Sequence, residues 1–300
     1  SVADASDACA GLETARMDAE AVAAARRFAR ECQVTVFAVF GALFQCLLAR
    51  YSGQNDILFL TPHANRSSKT ESIMGPLADS ICLTGHIGAD TTFRELVTRF
   101  SQQSMDAMEH ALPLNLLTPL LEMEVGPQYH PLNQITFFYQ RAFVHDMQWK
   151  NLQIASLHDV PSVTETEWQL GVVERAGGVS LEFLYDATLY SQTTIQTVQR
   201  HFARLLSHAV TSPDAPVSQL EILTQEEVNQ YSALSTPLSP VLESLLPRKR
   251  LSAVKAAPEA ESEIAVPVAK DALSQSEQDM LRIWRQVLKI DHLDTESNFF

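Results

Sequence analysis

Between Asp18 and Cys32 the apolar positions fall at Val22, Ala25, Phe28, Ala29 and Cys32, three and four residues apart. That spacing predicts an amphipathic helix, with Asp18 as the residue whose carboxylate accepts from a free first-turn amide. Thr35 is a second cap, and Val36, Val39, Phe40, Leu43, Leu47 and Tyr51 behind it form a wide apolar face. After the Ser52-Gly53 break, Ile57-Leu58-Phe59-Leu60 reads as a short strand buried on both faces and ended by Pro62. Thr92 and Glu95 make a capping-box pattern for a helix over 92–109. Gln134 to Tyr139 is rich in aromatic and β-branched residues and suits a central strand. Leu170–Val173 and Val179–Tyr185 flank Ala176-Gly177-Gly178, a hairpin signal with Val179, Leu181 and Phe183 on one face. A last helix is expected over roughly 193–210. The first fifteen residues are small and polar and read as frayed.

From 229 to 272 the periodicity fails. Pro237, Pro240, Pro247, Pro258 and Pro267 stand among Ala, Ser, Glu and Lys, the composition of an extended, mobile linker. Ser274 and Glu277 form another capping box, followed by a narrow stripe of Met280, Leu281, Trp284, Val287 and Leu288. The expected layout is an α/β (α+β) two-layer sandwich of mixed β-sheet and covering helices over 1–228, a linker over 229–272, and the opening helix of a small all-α unit over 273–300. The sequence begins with Ser1 and stops at Phe299-Phe300, so both ends are expected to be cuts.

Composition narrows the chemistry. With 46% apolar and 19% charged residues the 300-residue chain can bury a large core. A formal charge of −14 argues against a nucleic-acid surface, which needs clustered Lys and Arg. Arg248-Lys249-Arg250 is too short for a membrane or nuclear patch and reads as solvated linker charge. Cys9, Cys32, Cys46 and Cys82 show no paired spacing, which points to a reduced compartment. No run of 18 apolar residues or basic-then-apolar leader is present. No membrane partner is therefore expected, and a soluble, cytoplasmic protein is. No GxSxG, Walker, HExxH or GxGxxG motif occurs, and His201 and His208 lack a third metal ligand nearby.

Several ordered segments resemble the condensation domains of nonribosomal peptide synthetases. Arg50-Tyr51-Ser52-Gly53-Gln54-Asn55-Asp56-Ile57 is similar to that family's helix-end turn and strand, and Thr61-Pro62-His63-Ala64-Asn65-Arg66 to its "TPxxxR" turn. Ile73 to Ser80 falls at the "IGxFVNT" position, Leu112-Pro113-Leu114 at "HQDxPFE", His130 to Ile135 at "RNPLFQV", and Trp168-Gln169-Leu170 at "FDL". Ile283-Trp284, Val287-Leu288 and Asn298-Phe299-Phe300 resemble the opening of a peptidyl carrier domain, just ahead of its phosphopantetheine-bearing serine.

The resemblance implies a chloramphenicol-acetyltransferase-like fold of two similar halves meeting at a tunnel, of which 1–228 is the carboxyl-side half. It implies an acyltransferase in which an amine on an acceptor carrier domain attacks a thioester on a donor carrier domain. The 4'-phosphopantetheine arms are supplied on those carriers, with no cofactor bound directly and no metal. The family's "HHxxxDG" motif belongs to the N-terminal half, and no adjacent His pair occurs in this chain. The fragment alone is therefore expected to be inactive and to hold no catalytic residue. Carrier is expected to follow condensation without an adenylation domain between them, so the further expected partner is an adenylating enzyme acting in trans or a skipped or shared adenylation domain.

Arg66 carries the first functional expectation. The resemblance implies that it pairs with the aspartate of the histidine motif across the junction, a role suited to a planar, always-charged guanidinium. Gly75 reads either as a backbone turn near the tunnel or as an ordinary loop glycine. Asp79 and Ser80 replace the family's Asn-Thr pair and either face the tunnel or end a strand. His63 and Asn65, on the Arg66 turn, are expected to support the site, and a lone His there reads as a satisfied polar residue rather than a catalyst. His110 and His130 read as packing or capping groups. Gly85 and Asn115 depart from the family's Arg and Glu, and Val125 to Tyr129 from its "RDxSR", which leaves subtype and acceptor preference open. A noncatalytic carrier-docking domain and a stand-alone acyltransferase of the same fold are the competing readings.

Overall fold

The computed structural model describes residues 9–66, 68–123, 130, 132–141, 147–149, 152–154, 164–175 and 177–232. The expected linker beyond Ser232 and the carrier-like segment 273–300 lie outside the described residues.

Among the described residues eight strands and six α-helices follow one another as β1 (Ala10–Arg16), α1 (Ala19–Glu31), α2 (Val36–Ser52), β2 (Asp56–His63), β3 (Asp79–His86), α3 (Phe93–Glu109), α4 (Leu114–Leu120), β4 (Ile135–Arg141), β5 (Met147–Trp149), β6 (Leu152–Ile154), β7 (Trp168–Arg175), β8 (Gly178–Asp186), α5 (Gln192–Thr211) and α6 (Gln225–Ser232). Six strands form one mixed sheet in the order β1-β8-β7-β4-β2-β3, and β5 pairs with β6 separately. β4 lies parallel to β7 and β2, whereas β1/β8, β7/β8 and β2/β3 are antiparallel.

The caps read from the sequence are in place. Asp18 accepts from the Ala21 amide and Thr35 from the Ala38 amide. Thr92 and Glu95 exchange both bonds of a capping box. Gly53 ends α2 at φ 70°, a left-handed turn that glycine adopts without strain.

The helices cover one face of the sheet. α2 is its central prop, buried from Ala38 to Leu48. Phe44 stacks on Phe137 at 5.6 Å and meets Phe59 edge-on at 5.3 Å, while Phe40 lies between Tyr139 and Phe202. Strand register puts Phe59, Phe137, Leu170, Leu181 and Phe183 on this face, and all are almost fully buried. Among the described residues no single helix is long and apolar enough to cross a membrane.

Four expectations are corrected. Of the first fifteen residues, expected to fray, those from Ala10 onward form β1 together with Arg16, because β8 offers a free edge and pairs with them from Ala10↔Asp186 to Arg16↔Ser180. β2 does not stop at Pro62 but runs to His63, where Pro62↔Ser80 and His63↔Asp79 continue the β2/β3 ladder. On its other side β2 registers with β4 only at Leu60↔Thr136, so proline's missing N–H is tolerated there. Nor is β2 buried on both faces, since Leu58 is 39% exposed. Lastly, α5 is not the final helix: a 3₁₀ turn at Val217–Gln219 and helix α6 follow, the latter crossing the expected linker start at 229. Thr224 caps α6 and bonds the Glu227 carboxylate, a short local signal without an apolar stripe.

Candidate functional site

The face of the sheet that the helices leave open carries a polar cleft of about 520 Å³. Strand alternation builds it, since even-numbered residues of β4 project away from the helices. Thr136, Phe138 and Gln140 line the cleft together with Gln169 of β7 and Pro62 and Ser80 at the β2/β3 edge. Thr136 stands opposite Gln169 in the parallel register, and its hydroxyl reaches the Asn133 side chain at 3.3 Å. Phe138 lies over Gly171, where a Cβ would come within 2.4 Å of the ring, so glycine lets the ring pack against the sheet. Thr164 and Thr166 close one side with a local turn: the Thr164 hydroxyl donates to the Thr166 carbonyl at 2.9 Å. Farther along the same face Arg175 and Glu182 pair at 2.6 Å. Cys82 also belongs to this face by register, and burial pushes its thiol pKa up, away from a reactive thiolate.

The loop from β2 to β3 stands at the edge of this cleft and holds the residues expected from the sequence. Arg66 is exposed and folds back on its own loop. Its Nη1 donates to the carbonyls of Thr70 (3.3 Å) and Ile73 (2.8 Å), and its Nη2 to that of Gly75 (3.0 Å). Arg66 contacts no carboxylate among the described residues. Three carbonyls gathered on one guanidinium fix the turn, and the planar fork keeps further donors available. Asn65 takes φ 49° and Gly75 φ 154°. Asn is among the few side chains that tolerate the first, whereas the second is a region for glycine despite open space around it. His63 and Asp79 face each other in register at the strand ends, and the Asp79 carboxylate accepts from the Ser80 amide at 2.7 Å. The structure thus gathers His63, Asn65, Arg66, Gly75, Asp79 and Ser80 on one sheet corner, but of these only Ser80 lines the cleft.

Other histidines serve local structure. His110 is the C-cap residue of α3, bonded to the Asp106 carbonyl, and His130 links the Thr118 hydroxyl to the Leu132 amide. No group of three His, Cys, Asp or Glu among the described residues is placed to hold a metal. Thr136, Gln140, Gln169, Thr164 and Thr166 escaped the sequence reading. Thr136, Gln140 and Gln169 are polar residues within largely apolar strands, but Phe138 and Gly171 interrupt any polar alternation on this face, and Thr164 and Thr166 lie in a loop before β7.

A mixed sheet with helices on one face and a polar cleft on the other is a chloramphenicol-acetyltransferase-like fold. The family model for the condensation domain matches residues 5–231, and the chain belongs to that family. A linear gramicidin synthase polypeptide of Brevibacillus parabrevis is 30% identical over 220 residues, covering 72% of this chain and 4% of that protein. The chain therefore spans a small fraction of the length of such relatives. A four-domain nonribosomal peptide synthetase bound to AMP and glycine superposes with a TM-score of 0.66 at 18% identity, covering 74% of this chain and 18% of the other. The condensation domain from the Monacolin K polyketide synthase MokA gives 0.61 at 20% identity, covering 72% of this chain and 51% of that domain.

Proposed function

We propose that this chain is the carboxyl-side half of a condensation domain that joins a carrier-bound amine to a carrier-bound thioester as an amide. The open polar face of the sheet is one wall of the reaction tunnel in this reading. The observation that carries it is the cleft of about 520 Å³ lined by Ser80, Thr136, Gln140 and Gln169 on the face left uncovered by helices. Amides and hydroxyls there can hold the polar backbone of two tethered substrates and align amine with thioester, the positioning term of catalysis. General-base help comes from the preceding half in this reading, because the chain has no adjacent histidine pair. The 51% coverage of a related condensation domain supports a half-domain.

Arg66 is the proposed clasp to that preceding half. Its guanidinium sits exposed at the cleft edge, already oriented by three carbonyls, and can accept a carboxylate from the other half through its remaining donors. Asp79 and Ser80 shape the neighbouring wall, and Gly75 and Asn65 hold the turn. Residues 229–272 act as the tether and 273–300 as the start of a carrier domain, on their sequence pattern alone. Carrier-borne 4'-phosphopantetheine would present both substrates, with adenylation supplied in trans.

The test is a loaded-carrier assay on the full-length synthetase, with mass spectrometry following acyl transfer between two phosphopantetheine arms. Transfer is expected in the parent and its loss in Arg66→Ala. Absence of transfer with any carrier pair, together with retained carrier binding, would establish the docking alternative instead. Normal turnover and melting of Arg66→Ala would remove the clasp role.

A further inference from the structure

At the other end of β2 from the Arg66 turn, a second cleft of about 550 Å³ opens between the end of α2 and the starts of β2, β4 and β7. It shares no lining residue with the open-face cleft, so a ligand site there stands independently of the proposed condensation activity. Three aromatic side chains line it: Tyr51, Trp168 and Tyr190. Trp168 meets both tyrosines edge-on, at 6.4 and 5.3 Å between ring centroids. Leu48, Leu58 and Ile135 are among the aliphatic lining residues.

Its charges are of one sign. Asp56 and Glu167 line the cleft and no Lys, Arg or His does, among the described residues. His86 pairs with Asp56 from outside at 2.7 Å, and the Tyr190 hydroxyl donates to Glu167 at 3.2 Å. Trp168 is only 7% exposed, yet its indole nitrogen is buried without a hydrogen-bond partner. Aromatic rings beside two carboxylates attract an organic cation and repel an anion. The volume is that of a small-molecule pocket.

We propose that this cleft binds a small organic ammonium compound with an apolar body. The rings and aliphatic wall hold the body, and Asp56 and Glu167 attract the ammonium.

The full 300-residue chain is titrated by calorimetry with phenylalaninamide, 3-phenylpropionamide (no amine) and 3-phenylpropionate (an anion). Saturable binding of phenylalaninamide is expected, about tenfold weaker for the neutral amide and absent for the anion. Leu58→Arg puts a cation at the exposed edge of the cleft and should weaken phenylalaninamide at least about tenfold with unchanged melting. Should that variant fail to fold, Asp56→Asn replaces it, because the Asp56 side chain is 86% exposed. No saturable binding of phenylalaninamide overturns the proposal. So does equal binding of the anion, or binding that the folded rim variant leaves unchanged.

Discussion

On the covered face of the sheet Phe59, Phe137, Leu170 and Phe183 are sealed beneath α2, α3 and α5, while on the opposite face Gln140, three residues beyond Phe137, and Gln169, next to Leu170, stand in or near solvent. The same strands thus carry two surfaces made by two selection rules. The covered surface is chosen for volume and shape, because a dense interior forgives no missing atoms. The open surface carries hydrogen-bonding side chains, among them Gln140 and Gln169, that face the cleft. Stability should therefore reside on one face and activity on the other, and each substitution below tests that division.

The largest effect is expected at Phe137, the ring shared by Phe37, Phe44 and Phe59 at 5.6–5.9 Å. Phe137→Ala should lower unfolding free energy by about 3–5 kcal/mol in urea denaturation. A loss under about 1 kcal/mol would mean that the covered face is not the stabilising one.

Next comes the knot beneath α6. His201 is buried, with the Tyr51 hydroxyl 2.6 Å from Nδ1 and Glu227 3.2 Å from Nε2, an arrangement suited to a neutral ring protonated at Nε2. Burial pushes the His201 pKa below 6.5, against the opposing pull of Glu227 and with the help of Arg200 and Arg204. Burial works to raise the Glu227 carboxyl, but bonds from Thr224 and contact with His201 hold it below 4.5. A depressed histidine means that the unfolded chain binds the proton first, so stability falls as pH drops through 6.5. Glu227 adds a further loss as pH drops below 4.5, again because the folded carboxylate resists protonation. Melting temperature followed from about pH 8 downward should show the first decline, and His201→Gln should flatten it. A parent melting curve that is flat across that range would remove His201 from the account.

Gln45 inverts the sign. It lies fully buried in α2 with both amide atoms unpartnered, and Gly85 gives it room, since a Cβ there would stand 2.4 Å from its Nε2. Gln45→Met keeps the volume and removes the buried polar atoms, and should raise unfolding free energy by about 1 kcal/mol. Destabilisation by the same amount would show that the amide has a stabilising role on the covered face.

The covered face was the more legible of the two in the sequence. Caps at Asp18, Thr35 and Thr92 and the apolar spacing behind them located α1, α2 and α3, since local hydrogen bonds and helical period act within a few residues. β1 was not legible, because Ala10–Arg16 owes its strand to the distant β8 edge rather than to its own residues. Pro62 misled for the same reason: whether proline ends a strand depends on which neighbour needs its N–H. At the site, Arg66 stood out through the family pattern, whereas Gln140 and Gln169 become recognisable only once the register has placed them on one face.

Those two glutamines give the smallest stability effect and the clearest division. Gln140 is exposed and Gln169 half-buried, and both line the open cleft. Gln140→Ala and Gln169→Ala should each change unfolding free energy by no more than about 0.5 kcal/mol, as expected where no packing is lost. In the full-length synthetase each should slow carrier-to-carrier transfer about tenfold, the effect of losing one hydrogen bond of about 1.4 kcal/mol in the transition state. Because α2 and its aromatic partners are untouched, a loss of transfer at unchanged melting temperature places the defect in the wall rather than in the fold. Unchanged transfer in both variants would leave the open face without a part in the reaction, and the division between the two faces would fail at its functional end.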